Sequence, residues 1–141
     1  MTIARWVPHN RDSAPVRAQV MAHRGASAAE RENTTVAFTR ARELNSDAVE
    51  LDVRLCASGE MIVHHNPTLA NGKVLGTLNI ADIPDHIPTL ADALDACAGM
   101  WVNIEIKNDP NEPDFDPEDK LATIVVDFLR TRGEPDQWLI S

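Results

Sequence analysis

Positive charge is scarce in this sequence of 141 residues. Only 13 lysines and arginines stand against 22 aspartates and glutamates, which gives a net charge of −9. A surface of that sign does not attract nucleic acid or anionic lipid, so neither is expected as a partner. A phosphate-bearing substrate would therefore have to be held by a few local cations or by a metal ion.

Long apolar runs and cysteines are also few. No run approaches the roughly 20 apolar residues of a spanning helix, so no transmembrane segment is expected. Residues 1–19 carry charges but no apolar segment of the kind found in secretory signals. The two cysteines, Cys56 and Cys97, predict reduced thiols in a cytoplasmic protein rather than a disulfide.

Short apolar strands alternate with amphipathic helices along the chain. Strands are predicted at 20–22, 48–53, 61–65, 101–106 and 138–141, and helices are predicted to begin after Asn33 or Thr34, after Thr89 and after Asp116. This alternation indicates an α/β fold with a parallel sheet and crossover helices. Residues 20–141 are expected to form one domain, with residues 1–19 as an N-terminal extension outside its core.

The second predicted strand carries two acids. Side chains alternate between strand faces, so Glu50 and Asp52 share one face, on the order of 6–7 Å apart along the strand. The strand by itself allows two interpretations. The acids line a solvated face, or they hold a hard divalent cation such as Mg²⁺ or Ca²⁺, which prefers carboxylate oxygen.

Other polar residues interrupt the strands at or near their carboxyl ends: His23 with Arg24, His65, and Glu105 with Lys107. In parallel α/β folds this edge of the sheet binds ligands. Three acids can hold one cation, two imidazoles can transfer protons, and the two basic side chains can hold an anion. The combination favours hydrolysis of a phosphate ester. His64 is predicted to lie on the opposite strand face and to be structural.

Six ordered motifs then carry a resemblance to a known family. They are AHRG at 22–25, ENT at 32–34, DAVELDV at 47–53, VHHNPTL at 63–69, IPTL at 87–90 and NIEIK at 103–107. Together they resemble the glycerophosphodiester phosphodiesterase family over about residues 20–141. The resemblance implies a TIM barrel, (β/α)8, of which this chain holds about the first five strands. It also implies metal-dependent hydrolysis of glycerophosphodiesters to glycerol 3-phosphate and an alcohol.

The same resemblance implies a role for each site residue. His23 and His65 would be the acid/base pair, Arg24 and Lys107 would contact the phosphate, and Glu50, Asp52 and Glu105 would bind one Mg²⁺ or Ca²⁺. It further suggests that the substrate's own 2-hydroxyl attacks phosphorus first and that water then opens the cyclic product.

Three departures from the family pattern stand out. Arg31 occupies a position that is usually proline, and Asn66 one that is usually aspartate. A complete barrel needs roughly 200–250 residues, so a truncated product, a partial gene or a remainder located elsewhere is expected. An unpaired sheet edge also predicts self-association.

Two alternatives remain beside the hydrolase. One is a truncated family member that binds metal or a partner without turnover. The other is a phospholipase D-like phosphodiesterase that acts on lysophospholipids.

Overall fold

The computed structural model describes residues 18–141, so residues 1–17 of the predicted extension lie outside the described part. The strands and helices alternate as expected. In chain order they are β1 (Met21–His23), α1 (Thr35–Glu43), β2 (Ala48–Leu55), β3 (Met61–Val63), α2 (Leu90–Ala96), β4 (Trp101–Ile106), α3 (Lys120–Arg132) and β5 (Trp138–Ile140). The connection before α2 contains two short 3-10 turns, Leu75–Thr77 and Ile80–Asp82.

The strands form one five-stranded sheet in which four strands are parallel. The parallel strands lie in the order β1-β2-β4-β5, and β3 pairs with the carboxyl-terminal end of β2. β3 runs antiparallel, with Val63 opposite Val53 and Met61 opposite Leu55. The predicted parallel sheet is confirmed for β1, β2, β4 and β5, whereas the antiparallel direction of β3 was not deduced from the sequence. The turn between β2 and β3 is too short for a parallel crossover, which needs a dozen or more residues.

The main core lies where the helices pack on one face of the sheet. Val49, Leu51 and Val53 of β2 are fully buried in one cluster with Phe38 of α1 and Val125 of α3. Because strand side chains alternate, the even-numbered residues of β2 face the opposite side of the sheet. This alternation places the polar residues of β2 on the face away from the helices.

Local capping sets the helix starts. The Thr34 hydroxyl accepts a hydrogen bond from the Ala37 backbone N–H, and Thr89 does the same for Asp92, both at 3.2 Å, so these predicted caps are confirmed. The predicted start of α3 at Pro117 is wrong. Asp119 takes a left-handed conformation (φ 50°), and the helix begins only at Lys120.

Glycine is required where the first strand turns toward α1. Gly25 has φ +81°, and a Cβ there would lie 2.8 Å from the Ala37 backbone carbonyl carbon. The close approach of this turn to α1 holds His23 and Arg24 at the carboxyl end of β1. No helix within residues 18–141 combines the length and apolarity needed to cross a bilayer.

Candidate functional site

Three carboxylates from two neighbouring strands meet at the carboxyl end of the sheet. Glu50 and Asp52 lie on β2, and Glu105 lies directly opposite Asp52 in the parallel register of β4. One oxygen from each side chain lies within 4.8 Å of the others. We call these three residues the acidic cluster. Its members are the three acids that the sequence assigned to a metal, and the strand register is what brings them together.

Asp52 is the most deeply buried member and the best supplied with donors. Its side chain is fully buried, and Asn33 Nδ2 donates to its Oδ2 at 2.7 Å. Lys107 Nζ lies 3.0 Å from its Oδ1, and Arg24 Nε lies 3.3 Å from its Oδ2. Burial alone would raise the pKa of Asp52, but the Asn33 hydrogen bond and the Lys107 ammonium lower it overall. Asp52 is therefore held as a carboxylate.

Glu50 has the opposite electrostatic environment. The Arg24 backbone N–H donates to its Oε2 at 3.0 Å, whereas its Oε1 is buried and has no hydrogen-bond partner among residues 18–141. Burial, followed by the negative charge of Asp52, raises the pKa of Glu50. A buried carboxylate oxygen without a donor is costly unless a cation or a proton satisfies it. The donor set and this free oxygen fit a hard divalent cation.

The two basic residues border the acidic cluster. Arg24 contacts Asp52 and also Glu32, at 3.2 Å. Lys107 bridges Asp52 and Glu105, and these two contacts outweigh the effect of burial and raise the pKa of Lys107. Both cations therefore lie directly against the acidic cluster.

The two predicted acid/base histidines differ in exposure and support. His23 Nε2 lies 3.7 Å from Glu50 Oε2, and its side chain is 67% exposed. His65 Nδ1 lies 2.8 Å from Asn66 Oδ1. Because an amide oxygen only accepts, Nδ1 of His65 donates, which leaves Nε2 free to exchange a proton. His65 is close enough to help lower the pKa of Asp52.

A cavity of about 390 Å³ opens beside His65. Its walls come from residues 31–33, 64–66, 68–70 and 86–87, and they include Arg31, His64 and His86. His64 Nδ1 lies 2.9 Å from the Asn66 carbonyl oxygen, so one ring nitrogen is engaged by the backbone. The cavity offers space for a polar group next to a candidate proton donor.

The sequence analysis missed two residues. Asn33 was considered as a possible helix cap and as part of the ENT motif but was given no role at the site, yet its side chain donates to Asp52. Arg54 was not considered, although alternation along β2 places it on the same face as Glu50 and Asp52. Its side chain is 1% exposed. The alternation was a signal that could have found Arg54, whereas the role of Asn33 depends on a contact 19 residues away.

Comparison with known proteins points to one family. The model of the glycerophosphoryl diester phosphodiesterase family matches residues 23–141. The glycerophosphodiester phosphodiesterase of Caldanaerobacter subterraneus subsp. tengcongensis is 46% identical in an alignment 109 positions long that covers 63% of this chain and 45% of that protein.

Solved structures are similar as well, among them two phosphodiesterases. The glycerophosphodiester phosphodiesterase of Agrobacterium tumefaciens superposes with a TM-score of 0.73 at 26% identity, over 87% of this chain and 57% of that chain. A phosphodiesterase of Oleispira antarctica, solved in complex with the product sn-glycerol-3-phosphate, superposes with a TM-score of 0.61 at 27% identity, over 64% of this chain and 44% of that one. The chain spans about half the length of these relatives, and its fold is that of part of a TIM barrel.

Proposed function

Because the chain belongs to the glycerophosphoryl diester phosphodiesterase family, we propose that it hydrolyses glycerophosphodiesters to glycerol 3-phosphate and an alcohol. The observation that carries this proposal is the acidic cluster, whose three ligand oxygens lie within 4.8 Å of one another beside Arg24 and Lys107. Carboxylates, cations and imidazoles at one sheet edge are the groups that such a reaction needs.

We propose that the acidic cluster holds one Mg²⁺ or Ca²⁺. The support is chemical, since all three donors are carboxylates and the buried Glu50 Oε1 has no hydrogen-bond partner in the part of the chain that the structure describes. When bound, the ion would supply positive charge to the phosphate oxygens of the substrate. Arg24 and Lys107 would contact other phosphate oxygens, with the guanidinium of Arg24 suited to two parallel hydrogen bonds.

His23 and His65 are proposed to move the protons. In the first step one imidazole would take the proton of the substrate's 2-hydroxyl, and the other would give a proton to the departing alcohol. In the second step water would open the cyclic phosphate with the two roles reversed. The hydrogen bond from His65 Nδ1 to Asn66 keeps Nε2 available for this exchange, and such proton transfers contribute about 10²–10⁴-fold each.

The cavity beside His65 is proposed to receive one arm of the diester. It opens next to the imidazole and holds about 390 Å³, which leaves room for a headgroup of several non-hydrogen atoms. Arg31 is one of its walls, at a position where the family usually has proline. The cavity therefore gives this chain a basic side chain near the arm of the substrate that differs between glycerophosphodiesters.

The test is a coupled glycerol 3-phosphate assay on the purified chain with glycerophosphocholine. We expect activity that a chelator abolishes, and that is lost in His23→Ala and Glu50→Gln. Glu118→Gln is the matched control because the carboxylate of Glu118 is exposed and forms a surface ion pair with Lys120. Metal binding without turnover would instead support the non-catalytic module. Faster cleavage of lysophosphatidylcholine would support the phospholipase D-like alternative.

A second copy of the chain is the partner proposed for the open sheet edges. Within residues 18–141, β1 and β5 each pair with one neighbour, and Val20, Met21, Leu139 and Ile140 are exposed there. Unpaired strand edges with apolar side chains favour association. Light scattering across a concentration series tests this, and a mass that stays monomeric throughout would contradict it. A cytoplasmic location stays a prediction that cell fractionation can check.

A further inference from the structure

Arg54 is a buried cation to which the proposed reaction gives no role. It follows Glu50 and Asp52 on the same face of β2, and its side chain is 1% exposed. A guanidinium stays charged in a protein, so burying it is costly unless every N–H finds a partner. The partners of the guanidinium therefore indicate which part of the structure Arg54 stabilises.

The guanidinium of Arg54 joins two segments to β2. Its Nε and Nη2 both donate to the carbonyl oxygen of His65, at 2.9 and 2.6 Å. Its Nη1 donates to both carboxylate oxygens of Asp114, at 3.0 and 2.8 Å. Nη2 also lies 2.8 Å from Glu112 Oε2. Two acids from the segment after β4 thus balance the charge of Arg54, while its Nε and Nη2 hydrogen-bond the backbone carbonyl of His65.

The hydrogen bonds from Arg54 to His65 begin where the pairing of β2 with β3 ends. β3 stops at Val63, and the His64 backbone N–H still donates to the Asp52 carbonyl at 2.9 Å. At the next residue the two hydrogen bonds from Arg54 reach the His65 carbonyl. The planar fork of arginine fixes the direction of a bonded carbonyl more firmly than the rotating ammonium of lysine does.

We propose that Arg54 is a positioning residue for His65. It fixes the backbone from which the imidazole projects, and through Asp114 it ties that backbone to the segment that follows Glu105 and Lys107. The catalytic consequence rests on the proposed function, because it requires that His65 moves a proton. The position of the imidazole itself does not depend on turnover and can be measured separately.

The variants are Arg54→Lys, which keeps the charge but loses the fork, and Asp114→Asn, which leaves Arg54 intact but weakens its anchor. Arg40→Lys is the matched control, since Arg40 is exposed and pairs with Glu43 on α1. We expect both test variants to lower kcat by roughly 10- to 100-fold, because misplacement of a reacting group by about 1 Å has that order of effect. The dissociation constant for Mg²⁺ should stay unchanged, because the acidic cluster is intact.

A double-mutant cycle separates positioning from general damage. If Arg54 acts through His65, then Arg54→Lys in a His65→Ala background lowers kcat no further. An additive loss in that background, or a parallel loss of Mg²⁺ binding, would overturn the inference. Should Arg54→Lys fail to fold, Asp114→Asn in the same background gives the same comparison.

An NMR measurement covers the case in which the chain shows no turnover, which would defeat the proposed function but not this inference. The imidazole ¹H–¹⁵N signals of His65, assigned by their loss in His65→Ala, should shift or broaden in Asp114→Asn and Arg54→Lys. They should be unchanged in Arg40→Lys. Signals of His65 that stay identical to the wild type in both test variants would show that Arg54 does not position it.

Discussion

Removing the side chain of Asn33 should lower the free energy of unfolding. Two variants, Asn33→Gly and Asn33→Ala, separate the contribution of its hydrogen bond from that of its backbone conformation. Asn33 is 3% exposed and has φ 56°, in the left-handed region. Its amide donates to Asp52 Oδ2 at 2.7 Å, and Asp52 is fully buried. Asn33 therefore adopts a backbone conformation that most other side chains disfavour, and it supplies a hydrogen-bond donor to a buried charge.

The two contributions have different sizes. A hydrogen bond to a charged group contributes about 1.5–3 kcal/mol, and a left-handed conformation costs most residues, alanine included, about 1–2 kcal/mol, whereas glycine and asparagine adopt it readily. Glycine removes the first contribution without adding the second, so Asn33→Gly should lower the free energy of unfolding by about 2 kcal/mol. Alanine suffers both effects, so Asn33→Ala should lower it by about 3–4 kcal/mol.

Urea unfolding, followed by tryptophan fluorescence, measures both values. Asn45→Gly is the matched control, because Asn45 has φ 60° but is exposed at the end of α1; it should change stability by less than about 0.5 kcal/mol. The pKa of Asp52 is lowered in the folded chain. The stability that the ionised Asp52 carboxylate contributes to the fold is therefore fully present above the unfolded pKa, and it is lost as the pH falls through the folded pKa. The effect of Asn33→Gly should therefore shrink in acid. Equal midpoints for Asn33→Gly and wild type at neutral pH would refute the reasoning.

Three further predictions follow from the same geometry. Asn66→Asp should raise kcat, because a carboxylate hydrogen-bonded to His65 stabilises the imidazolium better than an amide does; a lower kcat in the coupled assay would count against this. The pKa of Glu50 is raised, so its proton competes with metal, and calorimetry should show Mg²⁺ affinity falling as the pH is lowered, with proton release on binding; pH-independent affinity would be the contrary result. Arg31→Ala should lower the ratio of kcat/KM for glycerophosphoinositol to kcat/KM for glycerophosphocholine, whereas Arg40→Ala should leave this ratio unchanged. An unaltered ratio in Arg31→Ala would show that Arg31 does not contact the substrate.

The parallel part of the fold could be predicted from periodicity and caps. Thr34 and Thr89 marked helix starts that the structure confirms, and the alternation in β2 placed Glu50 and Asp52 on one face. The direction of β3 was not deduced, although the short turn before it already excludes a parallel crossover. The start of α3 was misplaced because Asp116 and Pro117 form a typical helix opening, whereas the left-handed backbone of Asp119 delays the helix.

The candidate site could be predicted only where its residues lie on strands or within two residues of a strand's carboxyl end. The strand register brings Glu105 opposite Asp52, and that pairing follows from order along a parallel sheet. The residues that hydrogen-bond the buried polar side chains of β2 lie on loops. Asn33 reaches Asp52 from a turn before α1, and Asp114 reaches Arg54 across 60 residues. No local pattern encodes contacts of that separation, so they emerge only from the folded chain.

Calorimetric titration of the purified chain with Mg²⁺ tests most directly whether carboxylates from β2 and β4 form one cation site. We predict one ion bound per chain in the wild type, loss of that binding in Glu105→Gln, and unchanged binding in Glu118→Gln. Glu105 is the decisive position because it lies on a different strand from the other two acids. Binding that survives unchanged in Glu105→Gln, or no binding in the folded wild type, would contradict a shared site.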